Sequence, residues 1–327
     1  MPKISICIPT HNTGQYLPEA IESVLQQEFA DYELVICDNA STDDTPEICR
    51  SYSDGRLRYL RFEELTNQSG NFNRCLKQAK GEYVTLLHAD DFLLPGYMAD
   101  RVRRLEENES AGFAFGAVRI VDAIGVVTSI NKRWPEDRVI GSGDLLESLL
   151  LGCIVSPPSL MVRKACADRV GLFRTDLTWG HDWEWTLRLA EQWGACYASQ
   201  PLAAYRVHAE SGTAEQLSGA RNGYQEERIL RTALARTSVV SDGRFRKLRR
   251  HALRALSHRQ MYYAEQAMLS GRKQVARNNL WYAAKTDLRA VTRPTFWALL
   301  AASAGSVTWY GRYRTVRDAM VSPQKTV

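Results

Sequence analysis

The chain lacks the paired cysteine spacings that mark a disulfide framework or a zinc site. Its seven cysteines are odd in number and none form Cys-x-x-Cys, and Cys7 and Cys37 lie inside apolar, strand-like runs. This pattern predicts reduced, mostly buried thiols, as in cytosolic proteins. The N-terminus enters a strand at once, without an apolar signal segment before it, so we expect a cytoplasmic protein.

Two further absences narrow the class of protein. The longest apolar stretch near the C-terminus, residues 296–307, is too short to span a bilayer. No Gly-x-Gly-x-x-Gly follows the first predicted strand, which disfavours a nicotinamide-dependent dehydrogenase. The hydrophobic fraction of 45% and charged fraction of 24% are those of an ordinary globular protein, so composition itself points to no special class.

Charge is unevenly distributed along the chain. Residues 221–327 carry 21 Lys or Arg and 6 Asp or Glu, whereas residues 1–220 carry 21 basic and 31 acidic side chains. An acidic part followed by a basic part indicates two different modules. Hydrophobic spacing becomes helical throughout from residue 216, so we predict a first domain over 1–215 and a basic helical region over 216–327.

The first domain begins with strands and helices in alternation. Strands are predicted over residues 4–8, 32–37, 57–62 and 83–87, with helices between them. This order predicts an α/β fold with a mostly parallel, Rossmann-like sheet and helices on both faces. The order then becomes mixed, with a hairpin predicted from strands over 112–121 and 126–130.

The strand over 83–87 runs into two adjacent carboxylates, Asp90 and Asp91. Ligands of open α/β sheets bind beyond the carboxyl ends of the strands. Neighbouring carboxylates repel each other unless a cation or hydrogen-bond donors stabilise them, and a divalent cation that also binds phosphate is a natural partner. A plain surface turn is the alternative, because Asp is common in turns.

Several segments together resemble the family 2 glycosyltransferases. They are ISICIPTHN at 4–12, VICDNASTD at 35–43, GEYVTLLHADD at 81–91, GHDWEW at 180–185 and YRVH at 205–208. The resemblance covers about residues 1–210 and implies the GT-A fold. It also implies transfer of a sugar from a nucleoside-diphosphate sugar to a glycan or lipid-linked glycan in cell-surface polysaccharide biosynthesis.

The chain departs from the family pattern at two positions. Many members have Asp where His88 stands, which leaves the metal ligand set open here. Many also have Glu-Asp where His181 and Asp182 stand, and the aspartate is retained.

The resemblance assigns the diphosphate and its metal to the acidic stretch. It implies that Asp90 contacts the ribose or the metal and that Asp91 binds Mg²⁺ or Mn²⁺. His208 is expected to bind metal or phosphate and Arg206 to stabilise phosphate charge, although a structural role is the alternative for a lone histidine. His88 is expected to pack, with metal ligation as its alternative.

The nucleoside is assigned to the loops after the first two strands. Pro9, Thr10 and Asn12 follow the first strand and Asp38 follows the second, at the same edge of the sheet. The Asp38 carboxylate is expected to accept hydrogen bonds from the base or the ribose. Capping of its own turn is the alternative.

Asp182 is the predicted general base for the acceptor hydroxyl. Burial beside the nearby tryptophans would raise the pKa of its carboxyl and improve it as a base. A helix cap is the alternative for this residue. A base opposite the leaving diphosphate implies a single displacement with inversion.

Other functional classes also fit the whole protein and its basic tail. An inert nucleotide-binding scaffold and a metal-dependent nucleotidyltransferase would carry similar motifs. The basic cluster RFRKLRR at 244–250 would suit a solvated helix face, nucleic acid or an anionic membrane. Given the first domain, we expect a peripheral position at the inner face of the membrane and no nucleic acid partner.

Overall fold

The computed structural model describes residues 1–209, 211, 222–237 and 242–304. The chain divides into two compact units, Met1–His208 and Ala209–Val327, and each is described by itself. The domain boundary predicted between residues 215 and 216 lies outside the described residues.

Two sheets organise the first unit. The strands are β1 (Ile4–Thr10), β2 (Tyr32–Asn39), β3 (Leu57–Phe62), β4 (Tyr83–Leu86), β5 (Phe92–Leu93), β6 (Ala111–Gly116), β7 (Val118–Val121), β8 (Val127–Asn131), β9 (Arg138–Ile140), β10 (Met161–Arg163), β11 (Gly194–Ala198) and β12 (Ala203–Arg206). One sheet has the order β3-β2-β1-β4-β10-β6-β11-β9, and the other has the order β5-β12-β7-β8. Only β10 and β9 run against the direction shared by the rest of the larger sheet, so the predicted, mostly parallel arrangement is confirmed.

Helices connect these strands. They are α1 (Leu17–Leu25), α2 (Thr45–Ser51), α3 (Gln68–Gln78), α4 (Tyr97–Glu106), α5 (Ser142–Leu151), α6 (Lys164–Val170) and α7 (His181–Ala190), with a 3-10 turn at Pro157–Ser159. Every residue of β1 and β2 is buried. Strands buried in this way lie in the middle of a layered α/β structure, which explains their continuous apolar sequences.

The single strand predicted over 112–121 is wrong. The segment forms two strands in different sheets, because β6 joins the larger sheet and β7 the smaller one. Between them, the Ala117 N–H donates to the Ala198 carbonyl at 2.9 Å. A Cβ on Gly116 would lie 2.6 Å from that same oxygen, so glycine permits the close approach at which the chain changes sheets. The predicted hairpin is confirmed, with β7 and β8 as its two antiparallel strands.

A buried polar network places the start of β4 beside β1. The Ser5 hydroxyl donates to Glu33 at 2.6 Å, while the backbone N–H groups of Lys80 and Gly81 donate to Glu33 and to Ser5, both at 2.8 Å. Burial acts to raise the pKa of Glu33, but hydrogen bonds from Ser5, Lys80 and Arg58 outweigh it and the pKa is lowered. The network therefore fixes where β4 begins and, with it, where its carboxyl end emerges.

Gly81→Ala tests this close approach. The added Cβ would lie 2.5 Å from the Ser5 nitrogen and 2.6 Å from the Ile4 carbonyl carbon. We expect urea unfolding to show a loss of about 1–3 kcal/mol, because both clashing atoms belong to the backbone. Gly55→Ala is the matched control, since a Cβ there has nothing within 4 Å. Equal unfolding midpoints for the two variants would contradict the packing described.

The second unit is helical, as predicted. Its described helices are α8 (Asn222–Arg236), α9 (Asp242–Leu269), α10 (Lys273–Thr286) and α11 (Pro294–Ala304), with a 3-10 turn at Leu288–Thr292. Gly271, at φ +72°, ends the first arm of the predicted helical hairpin between α9 and α10. Met261, Leu280 and Phe296 belong to one buried cluster, so α11 supplies the further surface that this hairpin needs. Across the described helices, none combines the length and apolar character needed to cross a membrane.

Candidate active site

The acidic turn lies where the chain passes from one sheet to the other. β4 ends in the larger sheet and β5 begins in the smaller one, with His88, Asp90 and Asp91 between them. The Asp91 N–H donates to the His88 carbonyl at 3.1 Å and closes the turn. Ligand-type atoms of the three side chains all lie within 4.8 Å of one another. The carboxylates predicted at the strand end therefore lie in a cluster with His88.

Asp91 is the buried member of this cluster. Its side chain is 1% exposed, and its Oδ1 accepts the Arg206 N–H at 2.9 Å. Its Oδ2 has no hydrogen-bond partner within the described part of the chain, and His88 Nδ1 lies 3.9 Å from it. Burial, followed by the neighbouring charge of Asp90, raises the pKa of Asp91 well above its usual value. An unpaired, desolvated carboxylate oxygen beside two other ligand-type groups fits a divalent cation.

Asp90 is the more accessible carboxylate, with 22% of its side chain exposed. His208 Nε2 lies 3.1 Å from Asp90 Oδ2, and the His208 ring packs against Tyr16 with 4.7 Å between centroids. The last residue of the first unit is thus brought to the acidic turn. Because Asp90 keeps access to solvent, a ligand that enters from solvent meets Asp90 before the buried Asp91.

Arg206 is buried behind the acidic turn and donates hydrogen bonds to it and to neighbouring segments. Its guanidinium is 2% exposed, and Nε donates to the Asp90 carbonyl at 2.8 Å. Nη1 donates to the carbonyls of Asp122 and Ala123 at 3.2 and 3.1 Å, and Nη2 pairs with Glu19. The phosphate contact expected from the sequence is replaced by these protein partners, so Arg206 positions the acidic turn.

Asp182 lies in the first turn of α7 and lines the same pocket as His88. The N-cap residue of α7 is Gly180, at φ +67°, and no side chain caps the helix. The capping role that was the alternative for Asp182 is therefore not observed. The other walls are mainly apolar, and Trp185 is one of them.

Phe72 of α3 connects the two sides of this pocket. Its ring lies 5.2 Å from the His88 ring and 5.3 Å from the His181 ring, measured between centroids. Burial lowers the pKa of His181, which is 6% exposed. The sequence pattern does not distinguish Phe72 or Tyr16 as site residues, because an aromatic residue at or beside an amphipathic helix is typical of core packing.

Asp38 is fully buried at the end of β2, where it pairs in register with Thr10 of β1. Its carboxylate accepts the Ser41 N–H at 2.9 Å and the Tyr59 hydroxyl at 2.6 Å, and it forms an ion pair with Arg61 at 3.3 Å. Asp38 thus caps its own turn, as the alternative held. Its contact with a nucleoside stays a prediction.

The loop after β1 is tied to the loop after β2. Asn12, at φ +52°, accepts the Thr42 N–H at 2.7 Å through its side chain and donates its own N–H to the Ser41 hydroxyl at 3.0 Å. Pro9 is buried and Thr10 is 2% exposed. Of the predicted nucleoside residues, Asn12 therefore lies on a loop that is hydrogen-bonded to the loop after β2, whereas Pro9, Thr10 and Asp38 lie at the ends of β1 and β2 at the same edge of the sheet.

The sequence model of the family described as Glycosyl transferase family 2 matches residues 5–169, which is half of the chain. The chain belongs to glycosyltransferase family 2. This glycosyltransferase is 31% identical over 246 residues to the uncharacterized protein MT1568 of Mycobacterium tuberculosis, which covers 70% of this chain and 75% of that protein. It is 37% identical over 119 residues to the GalNAc(5)-diNAcBac-PP-undecaprenol beta-1,3-glucosyltransferase of Campylobacter jejuni, but that match spans only 36% of this chain and 38% of the relative.

Solved structures share the fold of the glycosyltransferase. S. aureus TarS 1-349 in complex with UDP-GlcNAc has a TM-score of 0.70 at 19% identity and covers 96% of this chain and 92% of its own. The mannosyltransferase PcManGT from Pyrobaculum calidifontis, in complex with GDP-Man and Mn²⁺, has a TM-score of 0.60 at 19% identity, covering 98% and 81%. The predicted GT-A fold with a helical C-terminal region is confirmed.

Asp91→Asn removes a carboxyl whose pKa is raised by folding. In the wild type, ionised Asp91 is disfavoured in the folded chain, so stability is lost as the pH rises above the unfolded-state pKa of about 4. The variant avoids this loss. We therefore expect its Tm, relative to the wild type in EDTA, to increase between about pH 4.5 and pH 8.

Asp168→Asn is the matched control, at a side chain that is 63% exposed and pairs with Lys164. Calorimetry at each pH gives the Tm of all three proteins. A pH-dependent difference of the same size in the control would remove burial as the cause.

Proposed function

We propose that this glycosyltransferase moves a sugar, with inversion, from a nucleoside-diphosphate sugar to a hydroxyl of a glycan or lipid-linked glycan. One observation carries the proposal: Asp182 lines a pocket together with His88, which itself clusters with Asp90 and Asp91 within 4.8 Å. A base and a group of leaving-group ligands around one space are what a single displacement requires.

Asp182 is the general base in this proposal. Its carboxylate accepts the proton of the acceptor hydroxyl as that oxygen attacks the anomeric carbon. The bond between the anomeric carbon and the diphosphate oxygen breaks on the opposite face of the sugar, which inverts the configuration. The mainly apolar walls around Asp182 support this role because they limit water at the reacting centre.

Mg²⁺ or Mn²⁺ is the proposed cofactor. Asp91 and His208 are the proposed ligands, Asp90 contacts the ribose or the same ion, and His88 lies beside them. When bound, the ion supplies Lewis-acid stabilisation of the charge that develops on the diphosphate. The unpartnered Asp91 Oδ2 supports this assignment. The fold relative PcManGT is a complex with Mn²⁺, which supports it further.

The donor is proposed to bind across the ends of β1 and β2 and the loops that follow them, with Pro9, Thr10, Asn12 and Asp38 around the nucleoside. TarS and PcManGT hold UDP-GlcNAc and GDP-Man, which supports a nucleoside-diphosphate hexose as the donor class. The Campylobacter relative is named as a glucosyltransferase of GalNAc(5)-diNAcBac-PP-undecaprenol, which supports a lipid-linked glycan as the acceptor class. By this analogy, we place the present chain in cell-surface polysaccharide biosynthesis, in the cytoplasm and peripherally at the inner face of the membrane.

Asp182→Asn is expected to keep nucleotide binding and to lower transfer by at least about 100-fold, because a positioned base contributes that much or more. Transfer is measured as nucleoside diphosphate released from UDP-GlcNAc, UDP-Glc or GDP-Man with a detergent-solubilised, undecaprenyl-diphosphate-linked sugar. Asp168→Asn serves as the control. Near-normal turnover of Asp182→Asn would exclude the role, and release of pyrophosphate instead would favour a nucleotidyltransferase.

His208→Ala is expected to weaken Mn²⁺-dependent binding of UDP by at least about tenfold, because an imidazole ligand is lost. Isothermal titration with UDP, with and without Mn²⁺, measures this without any turnover. His251→Ala, at an exposed histidine of α9, is the control. If the two variants bind UDP equally in the presence of Mn²⁺, His208 is not a ligand.

A further inference from the structure

Two adjoining grooves in the second unit share Arg249 and Leu253 as lining residues. The larger, of about 640 Å³, is also lined by Arg246 and Arg250. Arg246, Arg249, Arg250 and Leu253 are spaced at i, i+3, i+4 and i+7, so α9 presents all four on one face. The three guanidinium groups therefore surround a common space. We call this space, together with its smaller neighbour, the arginine groove.

The smaller part of the groove, of about 260 Å³, reaches α8. Arg231 and Leu234 line it together with the two shared residues. Leu234 is 6% exposed and Leu253 is half-buried, so the groove combines an apolar floor with a cationic rim. Grooves of a few hundred Å³ are the size of ordinary ligand sites.

Three carboxylates of the described helices form ion pairs with residues other than Arg249 and Arg250. Glu226 pairs with Arg259, Glu227 pairs with Arg231 and Lys285, and Asp287 pairs with Arg254 and Arg289. No carboxylate of the described residues forms an ion pair with Arg249 or Arg250. Arg249 and Arg250 therefore offer positive charge to an anion that binds the groove.

The groove chemistry selects the anion. Guanidinium groups pair with both phosphate and carboxylate oxygens through two parallel N–H donors, but a phosphate group has more oxygens and can engage several guanidinium groups at once. The leucines beside them contact hydrocarbon. A phosphate group attached to an apolar chain satisfies both parts of the groove, and membrane lipids carry that combination at high density.

We propose that the arginine groove binds the phosphate headgroups of anionic lipids and thereby holds this chain on a membrane surface. The proposal deepens the peripheral location given above and rests on the proposed function only for its biological purpose. Binding to lipid requires neither the donor nor catalysis. It can therefore fail or succeed separately from the transfer reaction.

The test is co-sedimentation of the full chain with vesicles of phosphatidylcholine, with and without one quarter phosphatidylglycerol, in low salt without donor. We expect binding only to the anionic vesicles. Arg249→Ala combined with Arg250→Ala is expected to weaken it by about 30-fold, because each basic residue at such a surface contributes about fivefold. Arg272→Ala combined with Lys77→Ala removes the same charge outside the groove and is expected to retain binding.

Three results would overturn the proposal. Equal losses in the two double variants would reduce the effect to net charge. Binding of inorganic pyrophosphate that depends on Arg249 and Arg250, without vesicle binding, would make the groove a site for a soluble phosphate compound. Arginine-dependent binding of a DNA or RNA duplex, without vesicle binding, would make it a nucleic acid site.

Controls separate folding and catalysis from lipid binding. Thermal unfolding tests whether both double variants fold. If the alanine pair does not fold, Arg249→Lys combined with Arg250→Lys is the milder variant.

The lysine pair keeps the charge but loses the paired donors, so it is expected to bind anionic vesicles less tightly than wild type. Unchanged binding of the folded lysine pair would contradict guanidinium recognition. Retained transfer to a detergent-solubilised acceptor would show that only lipid binding was lost.

Discussion

The buried guanidinium of Arg206 is the contact on which the acidic turn depends. Four separate parts of the chain meet there: the Asp90 carbonyl, the β7–β8 turn, Glu19 of α1 and the end of β12 itself. The charge of Arg206 and its backbone N–H act to lower the pKa of Asp91, yet burial and Asp90 outweigh them. The turn is therefore held by several hydrogen bonds while Asp91 Oδ2 has no hydrogen-bond partner among the described residues, which fits the proposed cation site.

The change from one sheet to the other explains why the site lies where it does. β4 ends against β1, and the chain then crosses into the smaller sheet, whose strand β12 leads directly to His208. The same turn places His88 against Phe72 and the pocket that Asp182 shares. Metal-type ligands and the proposed base thus come from three stretches of sequence: the turn after β4, the start of α7 and the residues after β12.

Much of the fold could be predicted from the sequence because buried parallel strands leave long apolar runs. The strands β1 to β4 and the helices between them were predicted on that basis. The two-residue β5 and the three-residue β9 were not, since strands so short show no periodicity. The sheet change at Ala117 was missed because an apolar run does not say which neighbour it pairs with.

The sequence by itself determined the family, the alternating α/β order, the helical tail and the identity of most candidate site residues, because these follow from local apolar patterns and motifs. Only the tertiary structure decided which of them meet. It brought His208 to Asp90, assigned the donors of Arg206 to protein carbonyls and buried Asp38 in its own turn. The reason is physical: hydrogen bonds and burial between distant segments depend on packing in three dimensions, and no local pattern encodes them.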